Sequence, residues 1–224
     1  MPVNEHNLLL LVVFTGAAVV VMLVVTGLSS RIEPFLRTWL VSVITSLVGA
    51  FTSAIYYMDG QLWVGGVSFG LLTIAFGLKA TAAYQFRTER LPLPVAGAAM
   101  LIATALVVAA ILSGYDGLSI ILWQGWAAAC CATAAANYRM TSAEAPVAAY
   151  VLAAFYLTLG ASYGISAAIL TIQGDLVLGG PPENWADKAS RLIAAVTFIG
   201  IGSVLLILNQ RRSTRRREGL LNAA

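Results

Sequence analysis

The chain is a succession of continuous apolar runs separated by short polar connections. Seven runs can be marked: about Leu8 to Leu28, Phe35 to Met58, Leu62 to Phe86, Leu93 to Leu112, Leu118 to Asn137, Pro146 to Ile172 and Ala189 to Asn209. Each holds about twenty residues, the length at which an α-helix crosses roughly 30 Å of hydrocarbon. Barrel strands would show period-two alternation over segments of about ten residues, and none is present. The pattern therefore predicts an all-α fold, a seven-helix transmembrane bundle over residues 1–210. The connections carry helix breakers, such as Asp59-Gly60, Ser113-Gly114-Tyr115-Asp116-Gly117 and the longer Gly174 to Asp187, and none is long enough for a soluble domain. Met1 to His6 holds no Lys or Arg and the first run exceeds a secretory h-region, so that run is read as an uncleaved span.

Composition agrees with the pattern. Of 224 residues 59% are hydrophobic and 10% charged, against about 25% charged in an average soluble domain. Disordered chains are poor in apolar residues, so disorder is excluded as well.

Placement of the charges gives a direction. Loops rich in Lys and Arg tend to stay in the cytoplasm. The first, third and fifth connections contain Arg31 and Arg37, Arg87 and Arg90, and Arg139, while the tail adds Arg211, Arg212, Arg215, Arg216 and Arg217. The other side carries Lys188 and Arg191 among Glu5, Asp59, Asp116, Asp175, Glu183 and Asp187. The amino terminus is expected outside and the carboxyl terminus in the cytoplasm.

The polar residues within the spans narrow the chemistry. All seven prolines fall in tails, in loops or at a span's first turn, so straight helices are expected, which speaks mildly against the broken helices of many transporters. Lys79 is the one ionisable residue deep in a span, and no Asp, Glu or His lies at its depth. It is read as a lysine whose ammonium snorkels to the headgroups, with a pathway-lining cation as the rival reading. Without a relay of carboxylates or imidazoles, proton-coupled transport loses its support. The single histidine, His6, is in the tail, and Cys130 and Cys131 are adjacent and point to different faces, so no haem or metal site is expected. No nucleophile elbow, HExxH or phosphate loop occurs, and neither catalysis nor a cofactor is assigned. Gly66 to Gly70 and Gly160 to Gly164 are GxxxG spacings that allow close helix approach, within the bundle or between protomers.

Toward the external ends lie Tyr56, Tyr57, Trp63, Tyr115, Trp123, Gln124, Trp126 and Tyr163, with Trp185 on the long loop and Arg191 opening the last span. One reading is an aromatic belt at the membrane interface, with Asp187 or Glu183 neutralising Arg191. The other is an outward-facing pocket for a small hydrophobic ligand, formed by Trp123, Gln124, Trp126, Tyr163 and Arg191. Trp126 and Tyr163 discriminate best, since both should lie some two turns below the surface.

Beyond Leu208 the sequence keeps good helix formers, places five arginines and then Leu220-Leu221 before ending. Basic residues near anionic headgroups contribute about 1 kcal/mol each, but an anchor has no need of the leucine pair. Residues 211–224 are expected to be a basic cytoplasmic helical extension, a truncated linker to an absent effector domain. Seven straight spans and an outside amino terminus are similar to microbial rhodopsins, but those carry a retinal-binding lysine in the last helix and Leu192 to Leu208 has none. The seven spans together with Arg211 to Ala224 resemble the amino-terminal sensor regions of bacterial signalling proteins, diguanylate cyclases of the GGDEF type and, less specifically, membrane histidine kinases. That resemblance implies a dimeric sensory input domain, embedded in the lipid bilayer of a bacterial inner membrane, relaying a signal through the last helix to a cytoplasmic effector in the same chain. Nucleic acid is not an expected partner. A small transporter or channel for uncharged or lipid-like solutes is the alternative, and a non-catalytic scaffold the third.

Overall fold

Six long helices account for most of the computed structural model, which describes residues 14–18, 20–21, 32–141, 145–182 and 184–221, without the side chains of 93 and 215–221. Residues 14–18 and 20–21 are helical and are labelled α1; the rest of the first predicted span lies outside the described residues. There follow α2 (Pro34–Asp59), α3 (Leu62–Thr88), α4 (Leu93–Leu112), α5 (Asp116–Met140), α6 (Pro146–Gln173) and α7 (Trp185–Leu221). All six are long and apolar enough to cross a membrane. The chain is a polytopic all-helical membrane domain whose outer faces meet lipid.

Local chemistry sets the boundaries. Pro34, Pro94 and Pro146 sit in the first turns of α2, α4 and α6, where the missing N–H has no intrahelical partner in any case. Gly60 and Gly174 end α2 and α6 at φ 66° and 74°, a left-handed conformation that glycine adopts without a Cβ clash. Asn184 opens α7, its side-chain oxygen accepting the Asp187 amide at 2.7 Å. From that cap α7 runs 37 residues, beginning four residues before the predicted span at Ala189 and continuing to Leu221. With no proline after Pro182 and helix-forming residues through the arginines, nothing in the sequence stops it.

Packing centres on α3, which lies against α2, α4 and α5. Helix α4 is peripheral: among its described apolar side chains only Val107 and Ile111 are buried, and Val95, Leu101, Ile102 and Leu106 are exposed. Both GxxxG spacings serve contacts inside the bundle. A Cβ on Gly70 would meet Val108 of α4 at 3.3 Å, and one on Gly160 would meet the Cys131 Cβ of α5 at 2.9 Å. Bare backbone at these positions is what lets the helices approach.

Helix α7 is held differently on its two sides. It packs at backbone distance against α6. Toward α2 and α3 the gap is bridged by side chains: at the arginine end the Asn209 carbonyl oxygen accepts the Glu33 amide at 2.9 Å, and the Arg212 guanidinium lies 3.8 Å from the Phe86 ring centroid. Below that bridge is an aromatic cluster in which Phe35 meets Phe86 edge-on at 4.9 Å and Tyr138 stacks on Tyr156 at 5.7 Å. The Trp39 indole N–H donates to the Tyr156 hydroxyl at 3.0 Å and ties α2 to α6.

At the other end the long loop folds back onto α5. The Asp116 carboxylate accepts the amides of Leu178 at 2.7 Å and Gly179 at 2.9 Å, and the Leu118 amide donates to the Leu176 carbonyl. Gly117 lies against the Asp175 carbonyl so closely that no Cβ fits between them. The loop is thereby fixed over the end of the bundle from which α7 departs.

Candidate functional site

The side-chain bridge between α7 and the α2–α3 pair leaves a cavity of about 70 Å³. Ser46, Ala50, Ser53 and Tyr57 come to it from α2, Phe69, Leu72 and Phe76 from α3, Ile120 and Trp123 from α5, Tyr163 from α6, and Asp187, Ser190, Arg191, Ala194 and Phe198 from α7. Five helices therefore meet around one space. Most of its wall is hydrocarbon or aromatic, with few polar groups, the usual make-up of a small-molecule site.

Three of the five residues singled out in the sequence line this cavity together: Trp123, Tyr163 and Arg191. Trp123 and Tyr163 meet edge-on with centroids 5.3 Å apart, and Phe76 closes on Tyr163 at 5.2 Å. Arg191 pairs with Asp187, one turn earlier on α7, at 2.5 Å, and its guanidinium lies 5.7 Å from the Tyr57 ring across the gap. Gln124 lies behind the wall: fully buried, it donates from Nε2 to Asp187 Oδ1 at 3.0 Å and so links α5 to the first turn of α7. Its role is to orient the carboxylate that holds Arg191.

Trp126 does not join them. Its indole N–H donates to the Thr73 carbonyl at 2.9 Å, and its ring lines a separate groove of about 400 Å³ between α3, α4 and α5, with Gly77, Met100 and Cys130. It faces another side of the helix from Trp123.

Exposure divides the aromatic residues into two sets. Trp63 and Trp185 are 63% and 70% exposed, as residues at a membrane interface would be, and Tyr115 is exposed too. Trp123 and Tyr163 are buried and bear on the cavity.

The largest departure concerns Lys79. Its side chain is 1% exposed and does not snorkel. The ammonium donates to Ser46 Oγ at 2.6 Å and lies 4.1 Å from the Phe76 centroid and 5.0 Å from that of Phe198. Those three residues line the cavity, and Lys79, which does not line it itself, lies behind them. The side chain remains inside because α3 is the central helix, and the face carrying Lys79 is turned toward α2 and α7. Its depth in the sequence was a signal; the partner Ser46 was not, since nothing in the spacing ties residue 46 to residue 79. Ser53 and Ser68, also cavity neighbours, hydrogen-bond to each other across α2 and α3.

Among the described residues no group of three His, Cys, Asp or Glu could hold a metal ion. Cys130 and Cys131 are both buried and unpaired, and Cys131 packs against Gly160. No family model, curated protein or solved structure matches this chain.

Proposed function

We propose that this chain is a transmembrane sensory input region that takes up a small, largely hydrophobic ligand in the α2–α3–α5–α6–α7 cavity. It relays occupancy along α7 to a cytoplasmic effector, a diguanylate cyclase of the GGDEF type being the first candidate. One observation carries the reading: α7 closes the cavity with Ser190, Arg191, Ala194 and Phe198, then continues as the same unbroken helix past Arg212 to Leu221. Among the described residues α7 is held closely by α6 and bridged by side chains toward α2 and α3, and a helix so held can change its position when the bridged space fills. A ligand acts through its differential affinity for the two arrangements, and here any molecule in the cavity touches α7 directly.

The excess of arginine at one end of the bundle places that end in the cytoplasm in this reading. Assembly as a homodimer accompanies it, as relay to an effector through a basic helix commonly works on paired helices. The carrier alternative is less well supported, since a pathway through the cavity would have to pass Lys79 and then the packed cluster of Trp39, Phe86, Tyr138 and Tyr156, all fully buried.

Cysteine chemistry tests the ligand-binding half. In a background with Cys130 and Cys131 replaced by alanine, Ala194→Cys places a thiol on the cavity wall and Leu159→Cys places one in solid core. Methyl methanethiosulfonate should modify the first in the folded protein and spare the second, read by intact mass. Protection of both thiols would overturn the reading.

A further inference from the structure

Resting on the ligand-binding reading above, we infer that the cavity selects a small monocarboxylate, its anionic head toward Ser46 and Lys79 and its short hydrocarbon tail among the aromatic walls. Unmatched donors around the cavity call for an anion. Lys79 is a buried ammonium whose hydrogen-bond partner is the neutral Ser46 hydroxyl. Among the described residues no carboxylate is paired with it, because the nearest acid on the cavity, Asp187, is engaged with Arg191 and Gln124. Burying a cation with no anion is expensive, and two aromatic faces offset that only in part.

Several polar groups on the cavity wall offer donors as well. The Ser46 hydroxyl accepts from Lys79, and its own proton has no acceptor among the described residues. The Trp123 indole N–H is buried without a partner, and the Tyr163 hydroxyl makes no hydrogen bond among the described residues. An indole nitrogen donates only, and an ammonium donates only. One uncompensated positive charge thus lies behind Ser46, and the α2, α5 and α6 walls offer donors, while most of the remaining wall is apolar. A carboxylate supplies the missing charge and up to four acceptor sites, and an alkyl tail matches Leu72, Phe69 and Ala194.

Volume limits the size. A water needs about 10–15 Å³ of such space, so about 70 Å³ accommodates roughly five or six heavy atoms, the size of butyrate. Long-chain acids would need the cavity to open further.

The test is thermal unfolding of the full chain in a neutral detergent at fixed ionic strength, with sodium butyrate, its neutral isostere butyramide, and sodium decanoate. Butyrate should raise Tm in a dose-dependent way, as expected for a ligand that binds only the folded state, and butyramide should not. The butyrate response should vanish in Lys79→Gln and weaken in Trp123→Phe, which removes the indole donor. If Lys79→Gln does not fold, Ser46→Ala serves instead and should lose most of the response. Equal stabilisation by butyrate and butyramide would overturn the anion selectivity while leaving the cavity reading intact. A butyrate response that survives Lys79→Gln or Ser46→Ala, or no response to butyrate in the wild-type chain, would overturn it too. Failure of the ligand-binding reading is recognised separately, by protection of Ala194→Cys from the thiol reagent.

Discussion

The guanidinium of Arg212 lies 3.8 Å from the centroid of Phe86 and 5.8 Å from that of Phe35. An arginine of the basic extension is thus part of the bundle's packing. It holds α7 to α2 and α3 at the end opposite the cavity.

Arg212→Ala removes this clamp. A cation over an aromatic face contributes about 0.5–2 kcal/mol, depending on how far it is desolvated. The substitution should lower stability within that range and raise amide exchange in α7 around Asn209, with Arg212→Lys intermediate. Unchanged exchange in that stretch would show that α7 is anchored elsewhere.

Asp116 organises the loop end, and its removal should be felt at a distance in sequence. Asp116→Ala strips acceptors from the amides of Leu178 and Gly179 and from the Tyr56 hydroxyl. Leaving buried donors unpaired costs about 1–3 kcal/mol. Limited proteolysis should then cut between Gly174 and Trp185 in the variant much faster than in the wild-type chain. Equal cleavage rates would mean the loop is held by Leu118 and its neighbours alone.

Two glycines with opposite surroundings give a paired prediction. Gly160 sits against α5, with the Cys131 Cβ 2.9 Å and the Ala128 carbonyl 3.3 Å from where its own Cβ would lie, while Gly97 of α4 has no atom within 4 Å. Gly160→Ala should destabilise by about 1–3 kcal/mol through overpacking. Gly97→Ala should be neutral or stabilising by up to about 1 kcal/mol through helix propensity. Thermal unfolding of the two variants side by side checks the assignment of that GxxxG spacing to a contact within the bundle.

The span positions were legible from the sequence because length and hydropathy alone decide them in a bilayer. Five of the six described helices begin or end within about three residues of the apolar runs, and the prolines and glycines mark their ends. Facing was not legible. In a soluble helix the polar side identifies the solvent face, but lipid is as apolar as a core, so α3 and α5 carry apolar residues all round and their orientation leaves little trace. That is why Trp123 and Trp126, three residues apart on α5, could be read as one wall when Thr73 and Met100 draw Trp126 into a different groove. It is also why Lys79 could be taken for a snorkelling side chain: its depth was plain, but its turn toward Ser46 depends on how α2 and α3 rotate against each other. For Arg191 the sequence offered two acids, Asp187 or Glu183, and the start of α7 at Trp185 decides between them by placing Asp187 one turn before Arg191 on the same helix.

The central claim is that filling the cavity displaces α7. Spin labels at Arg90→Cys beyond α3 and Gln210→Cys on α7, both exposed positions, report that displacement by double electron–electron resonance once Cys130 and Cys131 are replaced by alanine. Ala50→Leu fills the cavity from α2 without any ligand, and Ala98→Leu adds the same bulk on the exposed face of α4 as a control. The account predicts that Ala50→Leu shifts the distance distribution between the labels while Ala98→Leu leaves it unchanged. Identical distributions in all three folded proteins would contradict it.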